Sequence, residues 1–297
     1  MTNAAKRAVF RFAPTPNGRL HLGHAYSALL NAQGARRYGG DLLLRMEDLD
    51  RSRCRPEYEA AIVDDLAWLG VSFKTAIRRQ SGHSSDYAEA YEKLRSLGVL
   101  YPCSCAKADV AKASRAAGLG RDPDGAPLYA GVCRHRSQRR LGEGALTWRL
   151  DMTKARGLAP GKIFWREFGE GDEERAQLAD PAAWGDVALR RRGAPATYHV
   201  AVAVDDALQG VTDVTRGRDL FAATSLHRLL QCLLGLPAPR YRHHRLVLDA
   251  QGEKMSKSAS STPLALLRET GVSAAEIRSA LGLERALGMS RISVQFS

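Results

Sequence analysis

Residues 13–37 read APTPNGRLHLGHAYSALLNAQGARR. Two prolines, two glycines and two histidines precede a run with Ala25, Leu29 and Ala32 on one helical face. Upstream, residues 7–13 (RAVFRFA) alternate apolar and charged positions, the pattern of a strand. Downstream, Gly39-Gly40 stops the helix, DLLLRM (41–46) is a short apolar strand, and Pro56 opens a helix to Leu69. Strand, helix, strand, helix in that order predicts a parallel α/β fold. Proline, glycine and histidine at the first strand-to-helix junction then suggest a nucleotide site, because the N–H groups and dipole there favour anions.

The pattern continues with a helix over 86–97 and then changes character. Residues 101–144 carry three cysteines, Gly/Pro-rich loops and the basic run RHRSQRR (134–140). ALTWRLDM (145–152) and KIFWREF (162–168) are strand-like runs separated by a Gly/Pro turn, which predicts an antiparallel hairpin. α/β alternation resumes near Asp186, with a strand at 186–190, a helix from about 198, a strand at 211–215, a helix at 219–234 and a strand at 241–248. The expected domains are residues 1–85, the first half of a nucleotide-binding domain; 86–185, an insertion; 186–258, the second half; and 259–297, a short helical C-terminal extension.

Composition narrows the class. Lys and Arg number 44 against 32 Asp and Glu, a formal charge of +12 that suits a polyanionic partner such as a nucleic acid. The N-terminal MTNAAKRAVFRF has no apolar core of a signal peptide, and no apolar run is long enough to span a bilayer. A cytoplasmic protein without membrane contact is expected. Five cysteines, with Cys103 and Cys105 one residue apart, suit metal binding better than a disulfide framework.

No G-x-x-x-x-G-K-[ST] loop is present, and the Gly-Glu-Gly runs at 142–144 and 169–171 lack a third glycine. The candidate chemistry lies elsewhere. His21-Leu22-Gly23-His24 puts two imidazoles three residues apart at a strand-to-helix junction, where both can reach one phosphate as charge develops on it. Gly23 removes a side chain where a base or ribose could lie against the backbone. GEKMSKS (252–258) places Lys254 and Lys257 in a Gly/Ser-rich loop after the last strand, a cationic clamp for pyrophosphate.

Together HLGH and KMSKS resemble the two signatures of class I aminoacyl-tRNA synthetases. RFAPTPNGRLHLGH (11–24), LLRMEDLDRSR (43–53), TYHVAVAVDD (197–206) and VTDVTRGRDL (211–220) are similar to the glutamyl branch of that family. The resemblance implies a Rossmann-type nucleotide-binding fold split by a zinc-containing, acceptor-binding-like insertion. About 39 residues follow the KMSKS motif, without the large anticodon-binding region of glutamyl enzymes. That points to the glutamyl-Q branch, which attaches glutamate to queuosine in the anticodon of tRNA(Asp).

Carried over by position, the resemblance implies that Arg11, Phe12, Ala13, Pro14 and Thr15 form one wall of a glutamate pocket. Glu47 would hold the α-amino group, with Tyr198 and Arg216 as further contacts. Guanidinium forks for carboxylates and one acid for an ammonium fit a dicarboxylic amino acid. ATP contacts would be His21, Gly23, His24, Lys254 and Lys257, with His21, His24 and Lys257 catalytic and Mg²⁺ accompanying the nucleotide. Cys103, Cys105 and, 28 residues on, Cys133 are three thiolates at zinc spacing. The resemblance adds Tyr129 as fourth ligand of a structural Zn²⁺, whereas general coordination chemistry favours His135.

The expected activity is tRNA-independent condensation of L-glutamate with ATP to glutamyl-adenylate, then transfer to queuosine of tRNA(Asp) by a monomer. Two alternatives are a compact glutamyl-tRNA synthetase charging the 3′ end of tRNA(Glu), and a catalytically idle tRNA-binding paralogue. Trp148 and Trp165 read as core, Arg134–Arg140 as an RNA contact or a solvated face, and His243-His244 as framing of the nucleotide pocket.

Overall fold

The computed structural model describes residues 7–136, 142–171, 173–249, 255, 261–283 and 294–296. The chain begins with β1 (Val9–Phe12), α1 (Leu22–Arg37), β2 (Asp41–Met46), α2 (Pro56–Trp68), β3 (Arg78–Arg79) and α3 (Ser84–Ser96). There follow β4 (Leu100–Cys103), α4 (Lys107–Ala116), β5 (Thr147–Leu150), α5 (Met152–Leu158), β6 (Phe164–Phe168) and β7 (Glu174–Leu178). Next come β8 (Ala188–Arg190), α6 (Tyr198–Leu208), β9 (Asp213–Gly217), α7 (Ala223–Leu234), β10 (Arg240–His244) and β11 (Val247–Leu248). The last described elements are α8 (Leu264–Glu269), α9 (Ala274–Ala280) and β12 (Gln295–Phe296).

These elements form two compact units. The first comprises Met1–Ser81, Val211–Asp219 and Arg240–Ser297; the second comprises Gly82–Gly210 and Leu220–Pro239. Helices α6 and α7, which the sequence pattern assigns to the nucleotide-binding half, thus pack in the second unit.

In the first unit β1 pairs parallel with β2, and β2 with β3, while β9 pairs parallel with β10. The start of β9 runs beside β1: Thr212 N–H donates to the Val9 carbonyl at 3.0 Å, and Val9 N–H to Thr212 Oγ1 at 2.8 Å. α1 is the crossover between β1 and β2, buried along most of its length as a helix lying on a sheet must be. Gly34 lets it sit close, since a Cβ there would fall 2.6 Å from the Phe10 ring. Asn31, fully buried, donates from Nδ2 to the Thr215 carbonyl at 3.0 Å and so ties α1 to β9.

In the second unit β5 lies between β4 and β8, antiparallel to both. α3 joins α6 where the Tyr87 hydroxyl donates to the buried Asp205 carboxylate at 3.0 Å. Lys93 Nζ, also on α3, reaches the Leu234 carbonyl at the end of α7 at 2.5 Å.

Several expected elements take another form. The runs at 145–152 and 162–168 do not form a hairpin with each other. β5 pairs with β4 and β8, β6 pairs antiparallel with β7, and α5 separates β5 from β6. The cause is local: Asp151 caps α5, its Oδ1 accepting the Lys154 N–H at 3.1 Å, and Met-Thr-Lys-Ala-Arg has good helix formers. The single strand expected at 241–248 breaks at Arg245-Leu246 into β10 and β11. The C-terminal extension has two helices among its described residues and also a strand, β12, paired antiparallel with β11. Trp148 and Trp165 are core residues, as read from sequence.

Candidate active site and metal centre

The HLGH stretch closes the N-terminus of α1 with a reciprocal cap. His21 is the N-cap residue in extended backbone, and its Nδ1 accepts the Gly23 N–H at 3.2 Å. His24 folds back so that its Nδ1 accepts the His21 N–H at 3.3 Å, bringing the ring centroids to 3.9 Å. Two imidazoles here do the work of the usual Ser/Glu capping box. Because both Nδ1 atoms accept, the proton of each neutral ring sits on Nε2, a donor suited to a phosphate oxygen. Gly23 makes this possible: a Cβ there would stand 3.0 Å from His21 Cε1.

Parallel pairing of β1 with β2 brings the expected glutamate residues of the first unit together. Arg11 and Phe12 end β1, both buried, with Arg11 opposite Leu43 and Phe12 opposite Leu44. Ala13, Pro14 and Thr15 follow, and the Pro14 carbonyl accepts the Glu47 N–H at 3.0 Å. Glu47 stands just beyond β2, its carboxylate 3.7 Å from the fully buried guanidinium of Arg45. On β9, Arg216 is buried, donates from Nε to His243 Nε2 at 3.2 Å, and lies 5.3 Å from the Tyr241 ring centroid. His243 is the register partner of Arg216 on β10, which gives it a framing place in the strand pair. Its neighbour His244 bonds through Nδ1 to the Arg245 carbonyl at 2.8 Å, and burial holds its pKa below the ordinary value. Tyr198, the first residue of α6, belongs to the second unit. Lys254 and Lys257 lie outside the described residues, as do 137–140 of the basic run.

The three cysteines of the second unit converge. The Sγ atoms of Cys103, Cys105 and Cys133 all lie within 4.8 Å of one another. Cys105 and Cys133 are 3.5 Å apart, and the Tyr129 hydroxyl stands 3.4 Å from Cys103 and 3.6 Å from Cys105. For a tetrahedral zinc with Zn–S near 2.3 Å and Zn–O near 2.0 Å, ligand edges are about 3.8 Å between sulfurs and about 3.5 Å from sulfur to oxygen. Three soft thiols and one phenol at these separations fit the ion. His135 lies on an exposed turn, outside the thiol group, so the geometry gathers Tyr129 rather than His135.

The cluster is held from outside. The Cys133 N–H donates to the Tyr129 oxygen at 2.8 Å, and the Arg149 guanidinium covers the Tyr129 ring at 3.9 Å. Buried Asp186 receives Tyr101 Oη at 2.5 Å, Arg134 Nε and Nη2 at 2.9 and 2.6 Å, and the Met152 N–H at 3.1 Å. Arg134, from the basic run, is therefore paired inward and follows Cys133 directly. Burial raises the Cys105 thiol. Burial also opposes ionisation of Cys133, but hydrogen bonds from Tyr129, the Ser104 backbone and the other two thiols outweigh it and lower that thiol.

Sequence reasoning missed Arg45, Asp186 and the buried pair His199 and His227. Arg45 did leave a signal, a lone charge inside the apolar run DLLLRM.

The model of the tRNA synthetases class I (E and Q) catalytic domain matches residues 7–291. The glutamyl-Q tRNA(Asp) synthetase of Rhodobacter capsulatus is 42% identical over 285 residues, covering 93% of this chain and 100% of that protein. The protein of the same name from Leptothrix cholodnii is 39% identical over 262 residues, covering 88% and 86%. Among solved structures, the glutamate-tRNA synthetase of Elizabethkingia anophelis superposes with a TM-score of 0.72 at 23% identity, over 94% of this chain. The chain spans 61% of the length of that structure, a likeness of fold. No described helix is long and apolar enough to cross a membrane.

Proposed function

The chain belongs to the tRNA synthetases class I (E and Q), a family of ligases, and on that premise we propose that it activates L-glutamate with ATP and transfers it to queuosine of tRNA(Asp). One observation carries the choice of acceptor: the match to the Rhodobacter glutamyl-Q tRNA(Asp) synthetase runs the full length of that protein.

In the first step an α-carboxylate oxygen of glutamate attacks the α-phosphorus of ATP in line, and the bond to the bridging oxygen breaks to release pyrophosphate. No covalent bond to the protein forms. The chain's part is positioning and charge stabilisation. His21 and His24 donate Nε2–H to phosphate oxygens, and Lys257, with Lys254 beside it, holds the departing pyrophosphate. Arg11 and Arg216 take carboxylate oxygens, Glu47 takes the α-ammonium, and Tyr198 and the 12–15 backbone complete the contacts. Mg²⁺ bound with the nucleotide supplies further charge neutralisation at the phosphates.

In the second step a hydroxyl oxygen of the queuosine cyclopentene attacks the adenylate carbonyl carbon, the bond from that carbon to the phosphate oxygen breaks to release AMP, and the hydroxyl proton passes to the departing phosphate. Activation proceeds before tRNA binds. Cys103, Cys105, Cys133 and Tyr129 would hold a Zn²⁺, and four protein ligands of this kind would give it a structural role.

The test is transfer of labelled glutamate to three RNAs: tRNA(Glu), tRNA(Asp) bearing queuosine, and tRNA(Asp) with guanosine at that position. Label on the queuosine form alone is expected. Label on tRNA(Glu) overturns the acceptor and makes the protein a compact glutamyl-tRNA synthetase. No glutamate-dependent ATP–pyrophosphate exchange would mean an idle tRNA-binding paralogue.

A further inference from the structure

The second unit buries two imidazoles for which the reaction above has no use. His199 Nδ1 and His227 Nε2 are 3.2 Å apart, with His199 8% and His227 1% exposed. A hydrogen bond between two ring nitrogens needs one protonated and one bare nitrogen, so the pair holds only in complementary tautomers. His199 Nε2 lies 3.9 Å from the carboxylate of Asp124, which is itself half in solvent. Trp184 stands edge-on to His199 at 4.9 Å. The His199 ring is therefore held from more than one side.

Tyr198 rests on this pair. Its ring centroid is 5.4 Å from that of His199 and 5.6 Å from that of His227, tilted 65° and 67° to them. Edge-to-face contacts at this range are directional, so two of them at once define where a ring points as well as how deep it sits. His199 lies in the first turn of α6, directly after Tyr198, while His227 lies on α7. The hydrogen bond thus links the turn that carries Tyr198 to a second helix of the same unit.

We propose that the His199–His227 pair positions the Tyr198 ring for L-glutamate, which makes both histidines positioning residues of the substrate site. The inference rests on the assignment of Tyr198 to glutamate made above. A hydrophobic side chain of similar size at position 227 fills the space but leaves His199 Nδ1 without its partner and Tyr198 without one edge. The binding contact is then present but loosely held, a defect that raises KM for the amino acid it touches.

The experiment is glutamate-dependent ATP–pyrophosphate exchange with glutamate and ATP varied separately, on Tyr198→Ala, His227→Leu, His227→Gln and the double variant Tyr198→Ala/His227→Leu. Gln carries an amide group near the position of Nε2 and so can restore the bond to His199. His227→Leu is expected to raise the glutamate KM about tenfold with ATP KM unchanged, and His227→Gln to recover most of that loss. In the Tyr198→Ala background His227→Leu should add nothing, the coupling expected when one residue acts through the other. If His227→Leu does not fold, His227→Phe takes its place in the same cycle. Additive effects, or ATP and glutamate KM rising together, overturn the inference. A Tyr198→Ala protein with wild-type glutamate KM overturns instead the assignment of Tyr198 itself.

Discussion

His21 and His24 each use Nδ1 to accept a backbone N–H from the other's end of the same helical turn, Gly23 N to His21 and His21 N to His24. One pair of side chains thus both caps α1 and presents two Nε2–H donors. The two duties are separable. Asn carries an acceptor near the position of Nδ1 and nothing at Nε2, so His21→Asn and His24→Asn should keep the cap and lose the donor. Their melting temperatures should stay near wild type, while exchange falls by about 10²–10³-fold for each. Alanine at either position should lose stability as well, by about 0.5–2 kcal/mol. Asparagine variants with full exchange activity would remove both imidazoles from the phosphate chemistry.

Asp186 joins the thiol cluster to its surroundings, taking Tyr101, Arg134 and the Met152 N–H at once. Asp186→Ala leaves those donors unanswered at a buried site and should destabilise by about 3–5 kcal/mol. Zinc affinity should fall as well, because Tyr101 packs with Cys103, Tyr129 and Cys133, and Arg134 follows Cys133 directly. Tyr129→Phe should lower it further than that, because the proposed fourth ligand is lost. Competition against a chelator of known affinity measures both. Equal zinc affinity in Tyr129→Phe and wild type would make the site a three-thiolate centre with some other fourth ligand.

The β1–α1–β2 unit was legible because its periodicities are clean and its breaks are glycines, and the cysteine cluster because ligand spacing is short. Other features hide for physical reasons. Strand-like runs at 145–152 and 162–168 look alike from sequence, and it is the Asp151 cap together with the helix formers after it that makes α5 between them. Tyr129 lies four residues before Cys133 and His135 only two after it, so distance along the chain points to the histidine, whereas the folded chain puts the Tyr129 hydroxyl beside the thiols. His199 and His227 sit 28 residues apart on different helices, so no local pattern announces their contact.

Arg45 is fully buried and stands 3.7 Å from the Glu47 carboxylate. Glu47 is itself mostly withdrawn from solvent, so a guanidinium beside it offsets the cost of holding its charge there. Arg45→Met should cost about 3–5 kcal/mol, as removal of one partner of a buried pair does. The glutamate KM should rise about tenfold with the ATP KM unchanged, because Glu47 is assigned to the α-ammonium. Isothermal titration with glutamate alone reads the same change as weaker binding. A variant that binds glutamate normally would show that Glu47 is held by other contacts.

Asp65, on α2, is 1% exposed, and neither carboxylate oxygen has a hydrogen-bond partner among the described residues. Burial pushes its pKa up to about 6 from an ordinary 3.8, although the charges of Arg268 and Arg19 pull the other way. The folded protein therefore holds a proton between about pH 4 and 6 that the unfolded chain has released. The stability Asp65 contributes is complete below pH 4 and is lost as pH rises through 6, a swing of about 3 kcal/mol. Asp65→Asn keeps the shape of the neutral acid and cannot ionise. Subtracting the wild-type melting curve from that of Asp65→Asn at each pH cancels every other titrating group. The difference should be close to zero at pH 4 and should favour the variant by several degrees at pH 8. A difference that does not change with pH would mean that Asp65 titrates alike in the folded and unfolded states.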